Sequence, residues 1–396
     1  MEADLVVVGA GALGLSTALH AALTGRSVVV IERDTAGSQA SGRAAGLFKS
    51  VQADRLRTEL ARRSIQRAIS FADWAGVELP VVRSGSFLIA RTDEHKAYLR
   101  TEARQSAGWG VDLEEIGPLG DRLSYYHGDG RELALWCPED VYIEEPIDLV
   151  RAYVAACQLR GVELLQHETV TGITLSAGHV AGVQTSRRTI SATSVVAAAG
   201  AWTRQLAGLA GGDVAVAPVR HQLLITEPDP AVDPADPIAR VVDAAVYLRP
   251  ARGGLMAGGF ESDPLPVDPR TEPATFSTDD VPMDLGVLRK LAGQVEAETP
   301  LPASVADHRA GLFTMSPDGR FVAGPVSPGL WVASGCNGSG FSSSLALGEA
   351  LAGWICGGQS RLNIDALAPV RFGPMSDKAL IEAGVWQYAH YYDPVT

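Results

Sequence analysis

Cysteine is scarce in this sequence. Among 396 residues it occurs at Cys137, Cys157, Cys336 and Cys356, and no pair has C-x-x-C spacing. That argues against a metal site or a disulfide framework and leaves reduced thiols as the reading. Long apolar runs are missing too: no stretch approaches the ~18 residues of a membrane span. Positive charge is in deficit, with 33 Lys and Arg against 46 Asp and Glu. The net charge of −13 disfavours nucleic acid and anionic membranes as partners. Little precedes the first motif, which begins at Leu5. That leaves no room for a signal peptide, so a cytoplasmic location is expected. What is present is a globular composition, 46% hydrophobic and 20% charged, over a length that suits about two domains.

The stretch Leu5-Val6-Val7-Val8-Gly9-Ala10-Gly11-Ala12-Leu13-Gly14 runs four apolar residues into G-x-G-x-x-G. A helical segment, Leu15 to Leu23, and a second apolar run, Ser27 to Ile31, follow and end on Glu32. Strand, glycine turn, helix, strand and an acid about twenty positions on are the parts of a dinucleotide-binding βαβ unit. Gly9 permits the tight turn, Gly11 lets the backbone approach a pyrophosphate, and Gly14 lets helix and strand pack closely. The helix N-terminus offers unpaired N–H groups and the positive end of its dipole to the phosphates. Glu32 can accept from ribose hydroxyls.

The loop from Thr35 to Gly46 is rich in small residues and suits backbone lying against a flat ligand. Apolar spacing predicts an amphipathic helix from about Asp54 to Trp74. Val82 to Ala90 reads as two short strands around a turn and Asp93 to Ser106 as a helix, an insertion that leaves the nucleotide unit. Pro146 opens a helix that Gly161 stops. A strand, Val162 to Gln166, and a hairpin through Gly178 follow. The apolar strand ending at Ala199-Gly200-Ala201-Trp202 is either a second approach to a dinucleotide or core. Pro218 to Glu227 and Val246 to Phe260 are β-like, and Asp279 to Glu298 mostly helical. Near the end, Leu330 to Ala333 is a strand, Ser334 to Phe341 a glycine turn and Ser342 to Trp354 a helix. A second helix N-terminus is thus built to face something electron-rich. The aromatic tail, Trp386 to Thr396, docks on the body or on a neighbour.

Five places together resemble the D-amino-acid oxidase superfamily of FAD-dependent amine oxidoreductases. They are G-A-G-A-L-G with Glu32, C-P-E-D-V-Y-I-E-E-P-I-D-L-V-R-A-Y, P-V-R-H-Q-L-L-I-T-E-P, L-F-T-M-S-P-D-G and S-G-C-N-G-S-G-F. The branch most resembled is that of sarcosine oxidase and the dimethylglycine and sarcosine dehydrogenases. The resemblance implies an α/β (α+β) fold, a Rossmann-like FAD-binding domain interleaved with a mixed or antiparallel sheet that binds substrate. The corresponding boundaries are 1–75, 146–212 and 312–365 for the FAD domain, 76–145 and 213–311 for the substrate domain, and 366–396 for the tail. Two departures bear on the cofactor. Where the branch's dehydrogenases attach FAD through a histidine in H-A-A-G-L, this chain has Arg43-Ala44-Ala45-Gly46-Leu47. The cysteine that monomeric sarcosine oxidases use falls on Gly311. Non-covalent FAD is therefore implied. The lysine that speeds oxygen use in sarcosine oxidases falls on Met256, which makes an acceptor other than oxygen credible.

The resemblance also implies the reaction: a neutral amine aims a C–H at flavin N5, transfers a hydride and leaves an imine. Cofactor contacts are expected at Gly9, Gly11, Ala12, Leu13, Gly14, Glu32 and Arg33. Further contacts are expected at Ser41, Gly42, Arg43, Ala44, Ala45, Gly46 and Leu47, and at Val170, Ala199, Gly200 and Trp202. The second glycine turn adds Gly335, Asn337, Gly338, Ser339, Gly340, Phe341 and Ser342; the N–H groups of the helix opening at Gly338 to Ser342 would face the charge gathering near flavin N1. A substrate carboxylate needs a cation, with Lys49, Arg249, Arg252 and Arg309 as candidates. Tyr247, Arg249, Arg43 and Lys49 are expected at the reacting end. His221 and His308 are general-base candidates or satisfied structural histidines. The expected partners are a small-molecule amine and oxygen or another acceptor; the oligomeric state is unassigned. Other readings are an FAD enzyme acting on a larger intermediate, an NAD-binding dehydrogenase, or a non-catalytic flavin-binding protein.

Overall fold

In the computed structural model, which describes residues 1–117, 119, 122–302, 304–357 and 362–393, the first unit forms as the motif requires. β1 (Glu2–Val8), α1 (Ala12–Leu23) and β2 (Val28–Ile31) follow in order, with β1 and β2 parallel and Leu5 beside Val28. Both strands are buried where they pair, as the continuous apolar runs of a sheet covered on two faces must be. Gly9 sits at φ +111°, where a Cβ would lie 2.4 Å from Ala198 O, and a Cβ on Gly14 would lie 2.0 Å from Gly9 O. The turn closes only around these two bare backbones.

One eight-stranded sheet has the order Val322–Ser327, Leu330–Ser334, Thr189–Ala197, β1, β2, Glu163–Leu165. Its central pairings are parallel, and the hairpin of Val170–Ser176 and His179–Thr185 hangs from Thr189–Ala197. The Ile147–Leu159 and Ser344–Ile355 helices cover it beside α1. At Gly348 a Cβ would meet Ser16 Oγ at 2.2 Å, so α1 and the Ser344–Ile355 helix touch through backbone. Leu15, Leu19, Val30, Tyr153 and Leu347 share the core between them, each side chain contributing ~1.5–3 kcal/mol by leaving water.

A second eight-stranded sheet runs Val305–Met315, Ala217–Thr226, Gly254–Gly259, Val246–Ala251, Ile238–Val241, Ser86–Ala90, Leu133–Cys137, Glu114–Ile116. It is antiparallel except where Ile238–Val241 lies beside Ser86–Ala90. The Leu285–Gly293 and Asp377–Ala389 helices pack on Ala217–Thr226. The two sheets thus draw on alternating stretches of chain.

Several elements differ from the sequence reading. The Asp54 helix breaks at Ser70 into Arg55–Ile69 and Phe71–Ala75. Of the two strands expected in Val82 to Ala90, Ser86–Ala90 forms, and Val82 makes a single bridge to Tyr142. The helix expected from Asp279 shrinks to Leu285–Gly293, because Pro282 has no N–H to give and Asp284 caps the start. The tail docks on its own chain, through Tyr388 and Tyr391. Its last residues, 394–396, and residues 358–361 of the third FAD segment lie outside the described residues. Among the described residues no helix is long and apolar enough to cross a membrane, and no cluster of acids, His and Cys could hold a metal.

Candidate active site

A cavity of about 650 Å³ lies between the two sheets. Gly9, Gly11, Ala12 and Leu13 line it at one end of the chain and Gly338, Gly340, Phe341 and Ser342 at the other. The residues before the two helices, Gly11 and Ser343, give no side-chain cap, and one first-turn N–H of each helix is taken by a distant serine, Ala12 N by Ser41 Oγ and Ala346 N by Ser64 Oγ (both 3.0 Å). Positive dipole ends face the cavity from both turns. Glu32 lines it as well. Its carboxylate accepts from Ala10 N (2.8 Å) and Asp34 N (2.9 Å), and burial pushes the carboxyl above its ordinary range. Arg33 lies over the Trp202 ring, 4.5 Å from its centre.

Ser41, Arg43, Ala44, Ala45, Gly46, Leu47, Val170, Ala199, Gly200 and Trp202 also line the cavity. Five residues expected to contact the cofactor do not line the cavity. Gly14 is buried and Gly42 half-buried, each packed against backbone, Gly9 O and Gly37 O. Gly335 takes φ +64° beneath Val322, and Asn337 holds that turn by donating Nδ2 to Gly335 O (2.7 Å). Ser339 is buried within the turn and gives its N–H to Cys336 O (2.7 Å). These five shape the walls from behind.

The residues expected at the reacting end divide. Tyr247 and Lys49 line the cavity. Arg43 lines it too, but its guanidinium pairs with Asp279 and donates to Ser38 O (3.1 Å). With the Thr278 N–H on Gln39 (2.9 Å), it latches the segment that carries Pro269 to Ala274 along the cavity. Arg249 is a correction. It does not reach the cavity, is fully buried, and donates to Ala45 O (2.9 Å), Glu144 O (2.9 Å) and Pro250 O (2.6 Å). Burial lowers its guanidinium to about 10. It fastens the loop that presents Ala44 to Gly46. Arg252 is outside as well, tied to Glu145 and Asp307. Met256 is sealed among Leu223, Ile225, Ala251 and Ala45 rather than facing the cavity.

Beyond the second glycine turn the cavity becomes aromatic. His221, Tyr247, Phe260, Phe313 and Tyr392 line it. His221 stacks on Phe313 at 4.3 Å and bridges Tyr388 OH (2.7 Å) and Tyr247 OH (2.8 Å). Burial, aided by Lys49, lowers its imidazole to about 3, so it is neutral and structural at pH 7. His308 bonds Gln222 (3.2 Å) and lies off the cavity. Arg309 shares a cross-strand row with Leu223, Gly258 and Tyr247. It too lies outside the cavity lining, on the face of the strand that carries the lining residues Gly311 and Phe313; its Nε and Nη2 are buried without a hydrogen bond, and its nearest acids, Asp307 and Glu145, stand 3.7 and 4.0 Å away. Sequence reasoning missed Phe260, Leu223, Tyr392 and the Pro269–Ala274 lining. The aromatic tail was the one signal pointing to any of them.

The comparisons agree with this architecture. The chain is 25% identical over 398 residues to the mitochondrial pyruvate dehydrogenase phosphatase regulatory subunit of Mus musculus, covering 94% of this chain and 44% of that one. It is 28% identical over 381 residues to 4-methylaminobutanoate oxidase (formaldehyde-forming) of Paenarthrobacter nicotinovorans, covering 93% and 45%. To mitochondrial dimethylglycine dehydrogenase of Mus musculus it is 27% identical over 405 residues, covering 96% and 46%. The chain thus spans less than half the length of these relatives. Its fold matches the crystal structure of L-proline dehydrogenase from P. horikoshii, with a TM-score of 0.83, 22% identity and 94% and 98% of the two chains covered. The sequence profile described as DAO, FAD dependent oxidoreductase, matches residues 4–354, and the chain belongs to that family.

Proposed function

We propose that the chain holds FAD without a covalent bond and oxidises the C–N bond of a secondary or N-methyl amine that carries a carboxylate. We assign residues 1–75, 146–212 and 312–365 to the cofactor, 76–145 and 213–311 to the substrate, and 366–396 to the tail. The residues present fit the cofactor. Two glycine turns line one cavity, and Gly11 leaves open a space in which a Cβ would stand 3.1 Å from Ser41 Oγ. At both attachment positions, Arg43 and Gly311, the cavity wall offers no nucleophile. Cys336 is the one thiol lining it among the described residues, and its Sγ already accepts from Thr314 N (3.3 Å).

Bound FAD would supply the acceptor for a hydride from the substrate carbon. Arg309 would offer its two unbonded N–H groups to the carboxylate. The charges of Arg309 and Lys49 disfavour a protonated amine, which leaves the nitrogen lone pair free to assist loss of the hydride. Phe260 and Phe313 exclude water from the reacting carbon, and Tyr247, oriented by His221, closes the row. The departing hydride leaves an imine that water hydrolyses.

The observation that carries this reading is the aromatic end of the cavity. It holds a neutral histidine and an ammonium, and the carboxylates that line the cavity, Glu32, Glu168 and Glu272, stand on other segments of its wall. That wall suits a substrate bringing its own negative charge and needing no strong base. An anaerobic panel of N-methyl amino acids, cyclic imino acids and D-amino acids tests it: bleaching of the flavin by N-methyl or cyclic secondary amines is expected. A visible flavin spectrum that no amine bleaches would instead favour binding without turnover, a reading kept open by the likeness to a regulatory subunit. Acid precipitation tests the cofactor linkage. Yellow colour should leave the protein pellet; colour that stays, and is lost in Cys336→Ala, would show attachment at that thiol.

A further inference from the structure

Four Lys and Arg side chains are buried among the described residues, and two of them have carboxylate partners: Arg240 pairs with Asp140 (3.0 Å) and Arg220 with Glu261 (2.9 Å). Arg249 lacks an acid but has three carbonyls. Lys49 has neither arrangement. It is 9% exposed, lines the cavity, and among the described residues forms no ion pair. Its Nζ gives one bond, to Tyr391 OH (2.7 Å). An ammonium has three donors, so two remain for whatever fills the cavity. Burial opposes its charge, and the hydroxyls of Tyr391 and Tyr392 more than offset that.

The surroundings hold this ammonium in one place. Tyr391 stacks flat on Phe260, ring centres 3.9 Å apart with the planes 5° from parallel. A Cβ on Gly338 would touch both Tyr391 and Phe313 at 3.4 Å, so the second glycine turn closes against the same stack. Lys49 is therefore fixed at the Phe260 level of the roofing sheet. Phe260 follows Gly258 by two positions, and Gly258 belongs to the Arg309 row. Two residues along a strand span about 7 Å. Lys49 thus stands in the wall of the aromatic chamber, while Arg309, outside that lining but on the sheet face it shares with Gly311 and Phe313, lies one such step along, with unused donors.

We propose that Lys49 anchors a second anionic group of the substrate, so that the preferred substrate is an amine bearing two acidic groups, one on Arg309 and one on Lys49. The inference rests on the amine-acid reading above, but its test does not depend on turnover. The flavin-bearing protein is titrated with the α,ω-dicarboxylates from malonate to adipate, each against the monocarboxylate of equal chain length, and binding is read from the perturbed flavin spectrum. At least one diacid is expected to bind tenfold or more tightly than its monoacid. Lys49→Gln should bring that ratio below threefold, and Lys49→Arg should keep it.

Equal binding of diacids and monoacids by the unsubstituted protein would overturn the proposal, and that measurement needs no variant to fold. So would a preference that survives Lys49→Gln. So would a Lys49→Gln protein whose own flavin spectrum shifts while both acid classes weaken equally, since Lys49 would then serve the cofactor. Should the diacid preference hold while no amine bleaches the flavin, the amine-oxidation reading falls and the Lys49 subsite stands.

Discussion

Replacing Arg249 with methionine separates two roles for that side chain. A substrate clamp would act on KM and leave the fold alone. In the structure its donors serve the carbonyls of Ala45, Glu144 and Pro250, with no acid in reach of a hydrogen bond. Hydrogen bonds to a charged group contribute ~1.5–3 kcal/mol each, so losing three removes ~5–9 kcal/mol. Methionine also relieves the burial of a charge. Burial holds the guanidinium down to about 10, well below its ordinary range, and relieving that depression returns ~3 kcal/mol. The net loss is then ~2–6 kcal/mol. With an unfolding entropy of ~2 cal/mol/K per residue, Tm should fall by ~3–8 °C. Part of the loss falls on the loop of Ala44 to Gly46, so FAD should bind ~10-fold less tightly. Thermal unfolding followed by flavin fluorescence, with FAD content after dialysis, reads both effects. An Arg249→Met protein with full FAD, an unchanged Tm and a raised KM for acidic amines would refute the argument and restore the clamp.

Stability should fall in mild acid. Burial holds His221 at about 3 and His20 at about 4. The unfolded chain takes up both protons first, near ~6.5, so their contribution is intact above that pH and is lost as pH falls toward 4. The slope reaches ~2.7 kcal/mol per pH unit when both contribute. Urea midpoints across this window check it, with His221→Asn expected to halve the slope; a flat profile would contradict the burial argument. Gly11→Ala should fold but bind FAD ~10–100-fold less tightly, whereas Gly14→Ala, with its Cβ 2.0 Å from Gly9 O, should lose stability as well. Equal behaviour of the two in dialysis and melting would contradict their separate roles. Tyr388→Phe strips His221 Nδ1 of its partner and should cost ~1–3 kcal/mol. If Tyr388 positions His221, the pH profile of flavin reduction by amine should shift with FAD content unchanged; a change in Tm alone would reduce it to packing.

The nucleotide end of the site was legible because its physics is local. Phosphate recognition uses backbone N–H groups at helix starts and bare glycine backbones, and both leave their spacing in contiguous sequence. Gly9, Gly11 and Glu32 therefore fall where the motif implies. Gly14, Gly42, Gly335, Asn337 and Ser339 show the limit of that logic: a residue that a turn cannot do without need not touch what the turn holds. Helix ends were misjudged where one residue decides them, as at Ser70 and Pro282.

The aromatic end follows a different rule. Whether a strand residue faces the cavity or the sheet interior depends on register, and register is a property of two strands at once. Register is not all of it: Arg249 and Tyr247, two positions apart, share one face of their strand, yet the Ala45 loop covers the first and leaves the second on the ligand space. Arg249 could not be told from a clamp without knowing that Ala45 O and Glu144 O would meet it. Tyr388, Tyr391 and Tyr392 reach His221, Lys49 and Phe260 from far along the chain, and no local pattern announces that contact. A chain can therefore keep its glycine turns while exchanging strand-face and tail residues, retaining the cofactor and changing what is oxidised. On the proposal made above, substrate preference in this chain is set by Lys49, Arg309 and the tail tyrosines.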